Sequence, residues 1–239
     1  MAIGYAAEIR AFERRFFLAL AVLFPIAVII GFGQTYYLKG LFNGPSLPSL
    51  LVHFHGLIMT SWILLFITQV YLIRSKRIKI HQTLGKIAVG LAVLIVIVGF
   101  MTAIAAGKRG SSVPGIGPME FMIVPFGDVT MFAILFAGAI YYRKNAANHK
   151  RLILLTILNF LPPALGRFPF EFAANLGPLW FYGVPDVLAL IFVGVDTWRN
   201  RKLNKVFLAG ALLMIASHPL RLMFSSSETW IRFATWLTS

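Results

Sequence analysis

The sequence of 239 residues is 59% hydrophobic and only 13% charged, yet it carries a formal net charge of +14. Soluble domains average about 45–50% apolar and about 25% charged residues, and disordered chains are poor in aromatic residues, whereas this chain has 22 phenylalanines. A soluble nucleic-acid binder would account for the charge but not for the long apolar runs. Composition therefore favours a multi-pass membrane protein that contacts the lipid bilayer and no nucleic acid.

In chain order, the apolar runs predict an all-α integral membrane protein with seven transmembrane helices in one membrane domain, residues 1–239. A membrane-crossing helix needs about 20 predominantly apolar residues. The predicted spans are 16–38, 50–73, 83–106, 121–142, 150–165, 178–197 and 205–224. The fifth is short because Pro162 and Pro163 interrupt the helix. Residues 225–239 are rich in aromatic side chains and predict a short interfacial helix.

The basic residues predict the orientation of these spans. Sixteen of the 22 Lys and Arg residues precede the first span or lie in the loops after spans two, four and six. Positively charged loops mark the cytoplasmic side of a membrane protein. The sequence therefore predicts a cytoplasmic N-terminus and an external C-terminus, and the charge is chiefly a topology signal.

After a solitary first helix, the spans pair into three helical hairpins, each with a basic loop. His81, His149 and Asn204 stand where a helix leaves such a loop and re-enters the membrane. Asn is a preferred N-cap residue, so Asn204 is predicted to cap the seventh span. The two histidines are interpreted either as interfacial polar residues or as cofactor ligands.

Ionisable residues in the outer halves of the spans are the main functional candidates. Such a residue is costly within a membrane and is a functional-site hypothesis by default. His53 and His55 are about 200° apart on a helix, and Gly56 favours His55 because a neighbouring helix or a flat cofactor can approach there. The outer candidates are His55, Asp128, Arg167, Asp186, His218 and Arg221. In the plain structural interpretation, the two aspartates neutralise the two arginines as ion pairs.

Three chemistries use these residues. Haem needs two histidines at matching depth, which favours His55 with His218, or His81 with His149. A Zn or Fe site would use His55 with Asp128 and Asp186, as in a metal-dependent membrane hydrolase. Intramembrane charges beside a broken helix are also typical of a proton-coupled small-molecule transporter. A fourth possibility is an accessory or assembly subunit of a larger membrane complex, so enzymatic activity is left open.

Several short motifs resemble a widespread family of uncharacterised bacterial seven-span inner-membrane proteins. The motifs are His53-Phe54-His55-Gly56, Ser61-Trp62, Ile80-His81-Gln82-Thr83-Leu84-Gly85, Gly127-Asp128, Asn148-His149-Lys150-Arg151-Leu152, Leu161-Pro162-Pro163-Ala164 and Pro219-Leu220-Arg221. The resemblance covers about residues 45 to 225 and implies a location in the bacterial cytoplasmic membrane.

A more distant similarity, limited to the histidine-bearing hairpins, is to membrane proteins of haem–copper oxidase assembly and to b-type cytochromes. The leading prediction for function is therefore one associated with redox chemistry, haem or a respiratory complex, and the accessory subunit, the transporter and the hydrolase are the alternatives. The sequence departs from the family pattern at two positions, because His218 stands where glutamine is expected and Asn204 where histidine is expected. The departure at His218 weakens the outer haem pair.

Overall fold

The fold was obtained as a computed structural model, which describes residues 2–44, 46–113 and 115–239, with side chains from residue 11 onward. Within these residues the chain is helical and contains no strand. The helices are α1 (Ala2–Phe32) with a π-helical turn (Gly33–Tyr37), α2 (Leu50–Arg74), α3 (Ile78–Lys108), α4 (Pro118–Phe121), α5 (Ile123–Tyr141), α6 (Ala146–Asn159), α7 (Pro162–Leu165), α8 (Glu171–Leu176), α9 (Pro178–Phe181), α10 (Gly183–Asn200), α11 (Lys205–Ser225) and α12 (Glu228–Thr238).

Six helical segments in the described part of the chain are long and apolar enough to cross a membrane. They are Ala11–Tyr37, Leu50–Arg74, Ile78–Lys108, Pro118–Tyr141, Pro178–Asn200 and Lys205–Ser225. They coincide with six of the seven predicted spans, and the prediction of an all-helical multi-pass membrane protein is confirmed at this level. The predicted span 150–165 does not match a long helix. Helix α6 has only 14 residues and is about 21 Å long at 1.5 Å per residue, which is shorter than the hydrocarbon core of a bilayer, about 30 Å.

Helix α6 lies in the interior of the bundle. It packs against α5, α10 and α11, and its side chains from Leu152 onward are buried except for Ile153. The buried residues include the polar Thr156 and Asn159. The helix ends at Asn159, and α7 starts at Pro162, because proline lacks an N–H donor but suits a first helical turn. The predicted proline break is confirmed.

The connections of the second and third hairpins, α5–α6 and α10–α11, meet at one end of the bundle, called here the basic end. Asn204 Nδ2 donates to Asn148 Oδ1 over 2.8 Å, which joins the α5–α6 loop to the α10–α11 loop. Asn204 Oδ1 also accepts from the Phe207 amide, so the predicted cap of α11 is confirmed. An ion pair between Glu13 and Lys150 brings α1 to the same end.

The predicted C-terminal helix is present as α12. Trp230 and Ala234 are buried against Met122 and Ile123, and Trp230 Nε1 donates to the Met119 carbonyl over 2.8 Å. These contacts place α12 over α3 and α4, at the end of the bundle opposite the basic end.

Candidate functional site

Four ionisable side chains converge in the half of the bundle opposite the basic end. Asp128 comes from α5, Asp186 from α10, and His218 and Arg221 from α11. His218 and Arg221 share a face of α11 because they are three residues apart. We call these four residues the polar cluster. The sequence marked each of them as a candidate but did not predict that they meet.

Asp128 and Arg221 form a buried ion pair. Arg221 Nη1 lies 2.5 Å from Asp128 Oδ1, and the two residues are only 6% and 4% exposed. Arg221 Nη2 donates to Ser217 Oγ over 3.0 Å, while Asn159 Nδ2 donates to the Asp128 carbonyl over 2.9 Å. The pair is therefore held by hydrogen bonds from α6 and within α11.

Gly127 explains how the guanidinium reaches α5. A Cβ atom at this position would overlap the Arg221 side chain, so only glycine leaves a channel for it next to Asp128. The local sequence Gly127-Asp128 thus supplies both the space and the counter-charge for one arginine.

Asp186 and His218 form the second half of the polar cluster. His218 Nδ1 lies 2.9 Å from Asp186 Oδ1. The Tyr182 ring stacks on the imidazole, with 4.2 Å between ring centroids and 16° between the planes. His218 is 2% exposed. Neither of its ring nitrogens makes a hydrogen bond among the described residues, and the contact of Nδ1 with Asp186 Oδ1 is close in distance but lacks hydrogen-bond geometry. The polar atoms of this pair therefore make fewer hydrogen bonds than those of the Asp128–Arg221 pair.

The charges of the polar cluster balance only with an additional proton. Two carboxylates and one guanidinium leave a net charge of −1 when His218 is neutral. A net charge is costly in a membrane interior, and a positive charge on His218 would make the four residues neutral.

Arg167 and His55 lie outside the ion pairs of the polar cluster. Arg167 Nη1 donates to the Pro163 carbonyl over 2.6 Å, and its guanidinium carbon lies 4.8 Å from the centre of the Phe32 ring. Asp186 lies against His218 rather than Arg167. The ion-pair interpretation therefore holds for Asp128 with Arg221 but not for Arg167.

The two inner histidines lie at the basic end, at the helix starts where they were predicted. His81 Nδ1 lies 2.5 Å from Gln69 Oε1, and His149 Nδ1 donates to the Ala139 carbonyl over 2.8 Å. Both side chains are partly exposed, and each ring is oriented through Nδ1.

The structure does not support the predicted metal site. No group of three or more His, Asp or Glu side chains in the described ranges is arranged to hold a metal ion. The outer haem pair, His55 with His218, stays a prediction; in the structure the His218 ring stacks on Tyr182. The inner pair fits the chemistry better, since ligating histidines usually engage their second ring nitrogen in a hydrogen bond.

A second buried ion pair, at the basic end, was not among the predicted sites. Arg151 Nε and Nη2 contact the two carboxylate oxygens of Asp196 at 2.9 and 2.6 Å, and Asn200 Nδ2 lies 3.1 Å from the same carboxylate. In the sequence, this pair could have been suspected only from Asp196, an acidic residue inside the predicted span 178–197. Tyr182 carried no such signal, because an aromatic residue near a helix start is ordinary at a membrane interface.

No protein-family model, curated protein or solved structure matches this chain.

Proposed function

We propose that this chain is a bacterial inner-membrane protein that couples the movement of a small solute to proton transfer through the polar cluster. The observation that carries this proposal is the buried Asp186–His218 pair, which stands beside a charge-balanced Asp128–Arg221 pair. We further propose seven membrane crossings with the N-terminus in the cytoplasm.

The path of the chain between two loops supports the seventh crossing. The α5–α6 and α10–α11 loops are joined at the basic end by Asn148 and Asn204, so the intervening chain leaves that end and returns to it. Helix α10 belongs to one candidate span, and α6 with α7 provides the other passage. The excess of basic residues at this end supports a cytoplasmic position.

The two ion pairs have different roles in the proposal. Arg221 favours the ionised form of Asp128, because neutralising the carboxylate would leave a buried guanidinium without a counter-charge. Asp186 is partly exposed, with 19% of its side chain accessible, whereas His218 is almost fully enclosed. A proton therefore enters at Asp186 and is stored on His218. The other titratable or charged groups that face this pair are Asp128, Arg221 and Tyr182.

The discontinuous helices around the polar cluster support transport of a solute. Helices α7, α8 and α9 are short, and they connect α6 to the start of α10, where Asp186 lies. Broken helices beside intramembrane charges are typical of substrate sites in secondary transporters. The segment α7–α9 is therefore the part of the bundle proposed to move when the solute binds.

Proton binding is tested by infrared titration of the purified protein in lipid nanodiscs. We expect a titrating band from a protonated carboxyl or imidazole group that disappears in Asp186→Asn and in His218→Gln. Glu228→Gln is the control, because Glu228 and Arg232 form an exposed pair, each 78% accessible, on α12. Identical titrations in all four proteins would contradict the proposal.

Proton movement is tested in liposomes that contain a trapped pH-sensitive dye. After a pH gradient is imposed, wild-type protein and Glu228→Gln should dissipate it faster than protein-free liposomes. Asp186→Asn should reduce the rate to that of protein-free liposomes.

A second candidate function, electron transfer with haem, is supported by the inner histidines. His81 and His149 are anchored through Nδ1, and each has Nε2 available for an iron atom. A haem bound there would exchange single electrons with a partner at the basic end. An absorption spectrum of the purified protein tests this candidate, since a Soret band that is lost in His149→Ala supports it. Stable co-purification with a respiratory complex, without a cofactor, would instead favour an accessory subunit.

A further inference from the structure

Three neighbouring side chains in and beside the polar cluster carry buried polar atoms that make no hydrogen bond among the described residues. These atoms are Tyr182 Oη, Asp186 Oδ1 and both ring nitrogens of His218. Native proteins pair the large majority of their buried polar atoms with protein groups or with ordered water, because an unpaired atom costs free energy. We call these three residues the Tyr182 site, and their unpaired atoms indicate a further bonding partner.

Direct contacts bring the three side chains of the Tyr182 site together. Tyr182 and Asp186 are one helical turn apart, and the Asp186 amide donates to the Tyr182 carbonyl over 3.1 Å. His218 approaches both residues from α11, with 2.9 Å between its Nδ1 and Asp186 Oδ1 and 4.2 Å between its ring centre and that of Tyr182. The unpaired atoms therefore belong to one group of touching side chains.

The three side chains do not satisfy one another, although they touch. The Asp186–His218 contact lacks hydrogen-bond geometry. The rings of Tyr182 and His218 are stacked with only 16° between their planes, so their polar atoms point along two parallel planes and not toward each other. The packing of the rings is thus compatible with a third molecule at their edges.

The chemistry of the unpaired atoms defines what this partner must do. A tyrosine hydroxyl donates and accepts, a neutral imidazole has one donor and one acceptor nitrogen, and an ionised carboxylate only accepts. A metal ion bonds to lone pairs alone, so it would leave the donor hydrogens unpaired. The partner must therefore both donate and accept hydrogen bonds.

Asp186 gives water a way into the Tyr182 site. Its side chain is 19% accessible, whereas Tyr182 and His218 are only 3% and 2% exposed. A water molecule therefore reaches the Asp186 side chain, and the next polar atoms that it meets on the inner side are those of two enclosed rings.

We propose that Tyr182, Asp186 and His218 hold an ordered water molecule inside the bundle. Water both donates and accepts, and a buried water typically makes about three hydrogen bonds to polar groups that the protein leaves unpaired. The inference goes beyond the proposed function, because a water site requires neither a transported solute nor a change of protonation.

The water would supply the hydrogen-bonded connection that the direct Asp186–His218 contact lacks. In the proposed function, it accepts a proton from the Asp186 carboxyl group and donates one of its own to the unprotonated nitrogen of His218, so the water itself is regenerated. Tyr182 is a positioning residue in this step, since its hydroxyl orients the water and its ring orients the imidazole.

The variant Tyr182→Phe tests the site by the sign of a change in stability. It removes the hydroxyl and keeps the ring that stacks on His218. Removing a buried hydroxyl that has no partner would raise the melting temperature, whereas removing one that is bonded to water should lower it. We expect a lower melting temperature in lipid nanodiscs, and an unchanged or higher one would overturn the proposal. Tyr141→Phe is the matched control, because Tyr141 is 78% exposed, and it should melt as wild type.

A crystal structure of the wild-type protein, at a resolution that shows ordered water, identifies the partner of the hydroxyl. We expect water density within hydrogen-bonding distance of Tyr182 Oη and of Asp186 or His218. A protein group or a metal ion bonded to Tyr182 Oη in place of water would overturn the proposal. The same measurement on Tyr182→Phe should show the water lost or displaced.

These two measurements fail independently of the proton measurements. A water site in a protein that does not dissipate a pH gradient would contradict only the proposed function. Dissipation that is lost in Asp186→Asn, in a protein without water at Tyr182, would contradict only the present inference.

Discussion

At the scale of single residues, burial determines what each charged side chain can do. Asp128 and Arg221 are nearly inaccessible and fully matched, so their ionisation states are fixed by each other. Asp186 retains some exposure and has a neutral-or-charged histidine as its partner. The same residue type therefore has a structural role on α5 and, in the proposed function, a proton-binding role on α10.

The Asp128→Asn variant should be strongly destabilised. The substitution leaves the Arg221 guanidinium buried without a counter-charge, and breaking such a pair costs about 3–5 kcal/mol. The double variant Asp128→Leu with Arg221→Leu should recover much of this loss, because both charges are then removed. Thermal unfolding in detergent measures both, with Arg232→Gln as the control. A single variant as stable as wild type would show that the pair contributes little.

The candidate residues could be predicted from the sequence, but their partners could not. A charged residue within an apolar run is visible without a structure, as Asp128 and Asp186 show. Which arginine or histidine each one contacts depends on the rotation and packing of α5, α10 and α11. Gly127 is visible in the sequence next to Asp128. Only the structure shows that the absence of a side chain at this position leaves space for Arg221.

At the scale of helices, the contact between α1 and α7 fixes the position of the segment that precedes Arg167. Gly31 is buried and lies directly on the Ala164 backbone. Backbone atoms cannot move aside as a flexible side chain can, so this contact tolerates no larger residue. The short α7 is therefore fixed in position by a helix that is distant in sequence.

The Gly31→Ala variant should separate α1 from α7 and destabilise the protein by about 1–3 kcal/mol, as expected for an overpacked contact. Gly90→Ala is a matched control, because a Cβ atom at Gly90 in α3 meets nothing within 4 Å. In that control, alanine should be neutral or slightly stabilising. Thermal unfolding of the two variants gives the comparison, and equal melting temperatures would contradict the role assigned to Gly31.

Helix α6 differs from the six longer apolar helices in length and in surroundings. The predicted span 150–165 was already the shortest of the seven, and α6 packs against α5, α10 and α11. An enclosed helix can carry Arg151, Thr156 and Asn159 because neighbouring helices and its own backbone supply their partners. Its length is therefore limited by the bundle and by Pro162, and not by the thickness of the membrane.

At the scale of the whole molecule, the charge distribution and the helix packing agree on one basic end. Two of the basic connections, α5–α6 and α10–α11, are joined by the Asn148–Asn204 contact, and the Glu13–Lys150 ion pair brings α1 to the same end. Two independent observations, one from composition and one from geometry, therefore place these loops on the same side of the bundle.

Single-cysteine labelling tests the membrane topology. The native chain has no cysteine, so only the introduced cysteine of this protein can react. With a membrane-impermeant maleimide on intact cells, Ser112→Cys and Ser239→Cys should react, because both lie at the end opposite the basic end. Lys144→Cys and Lys202→Cys should react only after permeabilisation. Labelling of Lys202→Cys but not Lys144→Cys in intact cells would show that α6 and α7 do not complete a crossing.

The sequence by itself determined the helical class, the approximate bounds of six spans, the break at Pro162 and the collection of basic residues into alternate loops. Each of these follows from local properties: apolar length, the missing donor of proline and the charge of a loop. Only the tertiary structure decided that α6 is enclosed, that Asp128 pairs with Arg221 while Asp186 meets His218, and that Arg167 has no acidic partner. These outcomes depend on which helix faces meet, because a partner in a bundle is set by packing between segments far apart in the chain.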